Sequence, residues 1–177
     1  MRRILLVLTA ALATAAFVVP AAMATTYTAT FDPAAAPTGT HVQAGTPTCT
    51  VGTDGLVTCS DYELAGVGNS NASATLVASY SATVQCRNRG GQIVDVKSQR
   101  TTAPTSTGNL NPKNGRLAVP GVTSGPVPTD AQFEASAKCP NGNWTKETLE
   151  DTQALTSFTY TLHFAGFQGN YITITGP

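Results

Sequence analysis

The chain is short of charge. Asp, Glu, Lys and Arg make up only 11% of its 177 residues, ten of each sign, so the formal net charge is zero and the sequence pI is near 6.7. Proteins that hold phosphate backbones draw most of their affinity from clustered cations, so nucleic acid is not an expected partner. Histidine is scarcer still. His41 and His163 stand alone, and no CxxC pair exists, so the ligand spacing of a zinc site is missing. Neither histidine lies near a GxSxG elbow, which removes the usual signature of a Ser-His-Asp site. EF-hand loops, phosphate loops and dinucleotide fingerprints are also absent, so catalytic, metal and cofactor residues are all expected to be none. Segments of helical period and useful length are lacking too; only residues 147–154 combine charge with helix formers, enough for a short turn of helix. Low charge does not mean disorder, because 41% of the residues are hydrophobic. The length suits one domain, the usual content of about 100–200 residues.

Apolar residues run together only at the start. Arg2 and Arg3 precede an apolar stretch over 4–19, and Ala22-Met23-Ala24 places small residues where a signal peptidase reads them. The expected cut falls between Ala24 and Thr25. A retained membrane helix fits less well, because the run is shorter than the roughly 20 residues of a span and is interrupted by Thr9 and Thr14. No Cys stands at the cleavage point to take a lipid, and no second hydrophobic segment ends the chain, so a secreted protein without a membrane anchor is expected. Loss of Arg2 and Arg3 turns the neutral sum into −2.

Cys49, Cys59, Cys86 and Cys139 are an even set in an exported chain, which favours two disulfides. Local turn chemistry suggests the pairing. In the stretch from Cys49 to Cys59, the three-residue loop Thr53-Asp54-Gly55 puts glycine where a left-handed residue is required. Residue 51 then faces 57, and Cys49 faces Cys59 within disulfide reach. Cys86 is left for Cys139. The pairing 49–86 with 59–139 stays open, because a hairpin register can slip.

Alternation of period two dominates the remainder. Over 76–86 the even positions are Leu76, Ala78, Tyr80, Ala82, Val84 and Cys86, against mainly Ser and Thr at the odd ones. Phe133, Ala135, Ala137 and Cys139 repeat the pattern, as do Phe158, Tyr160, Leu162 and Phe164 with Thr159, Thr161 and His163 turned outward. Shorter strands are expected at 60–65, 93–100, 116–119, 144–149 and 171–175, separated by Gly- and Asn-rich turns. The expected fold is all-β, an antiparallel β-sandwich of Ig-like or jelly-roll style with two disulfides. Residues 25–47 are expected to be a partly mobile lead-in to a domain over 48–177. Residues 103–112 and 120–128 are expected to be long exposed connections.

Candidate sites are few. Six cations, Arg87, Arg89, Lys97, Arg100, Lys113 and Arg116, crowd into 87–116 with a single anion, Asp95, a local sum of +5; residues 25–86 carry −4 and 117–177 carry −3. This basic stretch is the expected contact surface, for an acidic cell-wall polymer or another extracellular protein. Asp61 and Glu63 stand two apart on one strand face, as a carboxylate pair would, although solvated partners of Tyr62 and Leu64 explain them as well. Trp144, Tyr160 and Tyr171 offer an alternative, an aromatic platform for sugar rings, against ordinary core packing. A further alternative is a protease inhibitor presenting the 120–130 loop, and another is a hydrolase with no recognisable motif. Asn71-Ala72-Ser73 and Asn143-Trp144-Thr145 match the glycosylation pattern.

Two turns carry a resemblance. Cys86-Arg87-Asn88-Arg89-Gly90-Gly91 and Cys139-Pro140-Asn141-Gly142-Asn143-Trp144-Thr145, with the export signal, resemble small exported actinobacterial all-β proteins of unknown activity. The likeness covers about residues 57–175. It implies a secreted all-β domain in which Cys86 and Cys139 are paired, and it brings no catalytic residues. The expected function is a secreted, non-enzymatic binding or structural module of the extracellular space or cell envelope.

Overall fold

The computed structural model describes residues 24–177. The expected export signal therefore lies, but for Ala24, outside the described residues. The longest alternating segment organises everything else. Strand β7 (Ala72–Arg87) points every even residue inward, and all eight of these side chains are buried. Its odd positions, Ser73 to Gln85, hold Ser, Thr, Val and Gln on the opposite face. That pattern needs a partner layer on one side only.

Around β7 lies a seven-stranded sheet. On one flank β13 (Ala154–Phe164) pairs with residues 72–81, and β12 (Thr145–Thr148) with residues 84–87. Outside β13 follow β14 (Ile172–Gly176) and the short edge strand β2 (Thr30–Phe31). The other flank is covered by β8 (Ile93–Thr101) and β9 (Thr105–Ser106). All of these pairings are antiparallel.

The second layer consists of two small sheets. One has the order β10 (Arg116–Val119), β6 (Tyr62–Ala65), β3 (His41–Gly45). The other has the order β1 (Thr25–Thr28), β4 (Thr48–Val51), β5 (Val57–Cys59), β11 (Val122–Thr123). Each strand of the first is joined directly to one of the second: β3 runs into β4, β10 into β11, and β5 into β6. The layer is therefore one sheet folded along a crease. Glycine allows the close crossing there. A Cβ on Gly45 would stand 2.9 Å from the Asp61 carbonyl oxygen, and one on Gly121 would stand 3.0 Å from that of Cys59.

The two layers meet through large side chains. Tyr27 and Phe158 pack edge to face at 5.1 Å, and the buried Tyr62 and Tyr160 hydroxyls hydrogen-bond at 2.8 Å. Both expected disulfides form, Cys49–Cys59 and Cys86–Cys139, with Cα separations of 3.9 and 5.8 Å. The hairpin register is the expected one, Cys49 opposite Cys59 and Val51 opposite Val57, with Gly55 at φ +77°. The fold is thus an antiparallel all-β sandwich with two disulfides.

Three local expectations are corrected. Residues 133–139 are not a strand; Asp130–Ser136 form helix α1. Gln132 reaches back to accept from the Thr129 amide at 2.9 Å, half of a capping box, and Phe133 and Ala137, four apart, are the buried pair. The helix packs against β8, β12 and β7. Ser98 donates to the Phe133 carbonyl at 2.7 Å, and Lys146 donates to the Glu134 and Ala137 carbonyls at 2.9 and 2.7 Å. Residues 25–47 are built into the sheets as β1, β2 and β3, with a 3-10 turn at Pro33–Ala35. Residues 103–112 are largely exposed, as expected, but β9 and a bridge from Leu110 to Ala72 tie them to β7, and residues 120–128 are fastened along β5 through β11.

Candidate functional site

The Cys86–Cys139 disulfide draws two turns together at the far end of β7. After β7, Asn88 shapes the first turn: its Oδ1 accepts from the Gln92 amide at 2.9 Å and its Nδ2 donates to Gln92 Oε1 at 2.8 Å. Gly91 takes the left-handed position at φ +81°. In the second turn Asn141 Oδ1 accepts from the Asn143 amide at 3.1 Å, and Thr145 Oγ1 then donates to the Arg87 carbonyl at 3.1 Å. Both turns are set by such local bonds, which is why asparagine and glycine recur there.

Between the turns lies a hollow of about 270 Å³, lined by Asn88, Arg89, Gly90, Asn141, Asn143 and Trp144. Trp144 is half-buried; Arg89 and Asn143 are exposed. The side chains of Arg89, Asn143 and Trp144 make no hydrogen bond among the described residues, and Asn141 uses only its oxygen. A guanidinium, two amides and an indole thus line the hollow with bonding capacity that no protein group uses. No carboxylate lines it. The nearest along the strands, Asp95 and Glu147, both stand opposite Gln85. Ile93 and Val94 open β8 beside it and are 48% and 41% exposed.

The six cations of the expected contact surface are dispersed. Arg87 and Arg89 are at this tip, and Lys97, opposite Thr83, continues along the same outer face of the sheet as Arg87. Arg100, opposite Tyr80, points to the other face and donates to Ser136 Oγ at 3.0 Å. Arg116 lies on the three-stranded sheet, where it pairs with Glu63 at 2.9 Å, and Lys113 sits in the turn before it. Tyr160, which bonds Tyr62 beneath that sheet, faces Leu76 on β7. Eleven residues separate Leu76 from Arg87, roughly 35 Å along β7 at about 3.3 Å per residue, so Arg116 and Lys113 do not belong to the tip.

A second concavity follows the crease. It is an open cleft of about 510 Å³ lined by Ala44, Gly45, Asp61, Tyr62, Glu63, Ala118, Val119 and Pro120. It does bring Asp61 and Glu63 together, but Glu63 is occupied by Arg116 and the remaining lining is small or apolar. Neither histidine lines it. His41 and His163 each bond a nearby backbone carbonyl, Gly39 at 2.8 Å and Gly169 at 2.7 Å. Among the described residues no group of three or more His, Cys, Asp or Glu is placed to hold a metal ion, and no helix is long and apolar enough to cross a membrane.

The aromatic platform of Trp144, Tyr160 and Tyr171 is not formed. Tyr160 and Tyr171 are core residues, 1% and 4% exposed. Burial pushes the hydroxyls of Tyr62, Tyr160 and Tyr171 above the usual tyrosine range; the neighbouring Tyr160 raises Tyr62 further, while the bond from Tyr62 pulls Tyr160 the other way. The 120–130 segment is also not a presented loop. It runs along β5, with Val122, Ser124 and Pro128 buried and Ser124 bonded to Val57 both ways through its amide and hydroxyl.

No family model, curated protein or solved structure matches the chain. The site must be read from its own chemistry. Asn88, Asn141 and Asn143 appear in the sequence only as turn formers, yet two such turns each following a cysteine of one pair must come together. That spacing was the available signal for the hollow.

Proposed function

We propose that this chain is an exported, non-catalytic binding module of the extracellular space or cell envelope, and that it makes contact through the tip held by Cys86–Cys139. The observation that carries this reading is the hollow at that tip, where Arg89, Asn141, Asn143 and Trp144 keep unused bonding capacity on rigid turns. Turns pinned by a disulfide and by their own hydrogen bonds present these groups to solvent, where a partner can reach them. Two disulfides suit an oxidising compartment, as does the leader-like start of the sequence. The basic character expected of the contact surface is retained in reduced form, as Arg87 and Arg89 with Lys97 behind them. The crease cleft favours catalysis less, since its Glu63 carboxylate is already engaged by Arg116.

The test is retention of the purified mature chain, residues 25–177, on isolated cell walls, insoluble polysaccharides and immobilised culture-supernatant proteins, at low and high salt. Retention that falls with salt and is lost in Trp144→Ala supports the tip. Retention unaffected by Trp144→Ala refutes it as the contact, and measurable turnover of a bound polymer refutes the non-catalytic reading.

A further inference from the structure

Resting on that reading, we infer that the tip hollow binds a single acidic sugar ring, a hexose that carries a carboxylate. Size comes first. Pockets that enclose drug-sized ligands measure about 300–1,000 Å³, and this one, at about 270 Å³, admits one ring rather than a chain. A polymer would be gripped at one residue and run on over the exposed surface.

Each free group then matches one part of such a ring. The half-buried indole of Trp144 provides an apolar wall for the C–H face of a pyranose, a flat surface that needs little ordering on binding. The amides of Asn141 and Asn143 place donors, and in Asn143 an acceptor too, beside each other, the arrangement adjacent ring hydroxyls require. Arg89 supplies a planar fork of N–H donors, which fits a carboxylate by two parallel bonds. With no carboxylate in the lining and Arg87 nearby, the local field favours an anion. A peptide carboxylate would use Arg89 but leave the indole and amides unmatched. A neutral sugar would use those and leave the guanidinium unmatched. The acidic sugar uses all of them.

The tip is also preformed. Asn88 has both its amide oxygen and nitrogen bonded within its turn, and the disulfide joins the two turns covalently. The backbone of the two turns needs little ordering on binding, and the exposed Arg89 side chain is the part a ligand must fix.

Trp144 is the only tryptophan in the chain, so its fluorescence reports on the hollow alone. The mature protein is titrated with glucuronate, glucose and acetate at low ionic strength. The expected result is a saturable change with glucuronate, at least about 10-fold weaker binding of glucose, and no comparable effect of acetate. Added salt weakens glucuronate towards glucose. Arg89→Gln abolishes the preference while leaving glucose binding in place, and Asn143→Ala weakens both sugars. Equal affinity for glucuronate and glucose, acetate competing as well as glucuronate, or an unchanged preference in Arg89→Gln would each overturn the inference. Retention on cell walls without any saturable sugar response would sink the sugar site and leave the envelope-binding reading standing. A glucuronate response with no retention on walls would do the reverse.

Discussion

Removing the disulfides one at a time tests how the two staples divide their work. Cys86–Cys139 spans 53 residues of sequence and Cys49–Cys59 spans 10. In the chain-entropy treatment these constrain the unfolded chain by about 4.2 and about 2.7 kcal/mol. Cys49, Cys59 and Cys86 are at most 2% exposed and Cys139 is half-buried, so Cys86→Ala/Cys139→Ala loses no more sulfur packing than Cys49→Ala/Cys59→Ala, and an excess loss of stability in it reports the loop term. That difference is about 1.5 kcal/mol. With urea slopes of about 1–3 kcal/mol/M for small domains, the 86–139 variant should unfold at a midpoint about 0.5–1.5 M lower than the 49–59 variant, followed by circular dichroism. A second consequence is local. Cys49 and Cys59 are already opposed in a hairpin register that Val51 and Val57 continue, whereas Cys139 follows a helix and is tied to β7 chiefly through sulfur. Amide exchange should therefore quicken around 87–92 and 139–144 in the 86–139 variant alone. A 49–59 variant that is the less stable of the two, or equal midpoints with unchanged exchange at the tip, would refute the reasoning.

The buried tyrosine pair gives two more tests. Tyr62→Phe strands the Tyr160 hydroxyl in the core and should cost about 1–3 kcal/mol, with Tyr62→Phe/Tyr160→Phe recovering part of the loss, as read by urea unfolding. Both hydroxyls titrate higher when folded than when unfolded, so the unfolded chain releases their protons first. Stability should hold below about pH 10, the unfolded tyrosine value, and decline above it by up to about 1.4 kcal/mol per pH unit per tyrosine; the double Phe variant should flatten that decline. Among the glycines, Gly66 and Gly68 both have positive φ, +74° and +56°, but a Cβ on Gly66 would collide with the Gly39 backbone while one on Gly68 meets open space. Gly68→Ala should cost about 1–2 kcal/mol for the left-handed backbone alone, and Gly66→Ala clearly more; equal thermal shifts would show that the contact is unimportant.

The strands that could be read in the sequence are those whose two faces differ in kind. Over 76–86 and 158–164, aliphatic and aromatic residues alternate mainly with Ser and Thr, and only a strand with one buried face satisfies that. The 49–59 register was legible for another reason: a left-handed Gly55 after Asp54 fixes the loop length, and the loop length fixes which residues face. Residues 133–139 misled because three of their four inward candidates were Ala, Ala and Cys, small enough to suit either period. The helix was announced instead by Thr129 and Gln132 three apart, with Asp130 in the first turn. The crease left no such trace, since β3 to β4 and β10 to β11 look like ordinary breaks until Gly45 and Gly121 are seen beneath the carbonyls they cross.

For the site, composition by segment was the weaker guide and parity along each strand the stronger one. The +5 of residues 87–116 counts cations without regard to direction, yet in an extended strand Lys97 and Arg100, three apart, must face opposite sides, and they do. The same rule applies to Tyr160. It falls in register with Phe158 and Leu162 on the apolar face, so its burial followed from the alternation, and a platform requiring it in solvent conflicted with the strand that carried it. Trp144 escapes the rule because it precedes β12 in a turn, where no alternation commits it to the core. Strand parity sends one set of side chains to the core and one to the outer face, and the turns hold those it does not assign. The turns joined by Cys86–Cys139 gather four of them, Arg89, Asn141, Asn143 and Trp144, around one hollow.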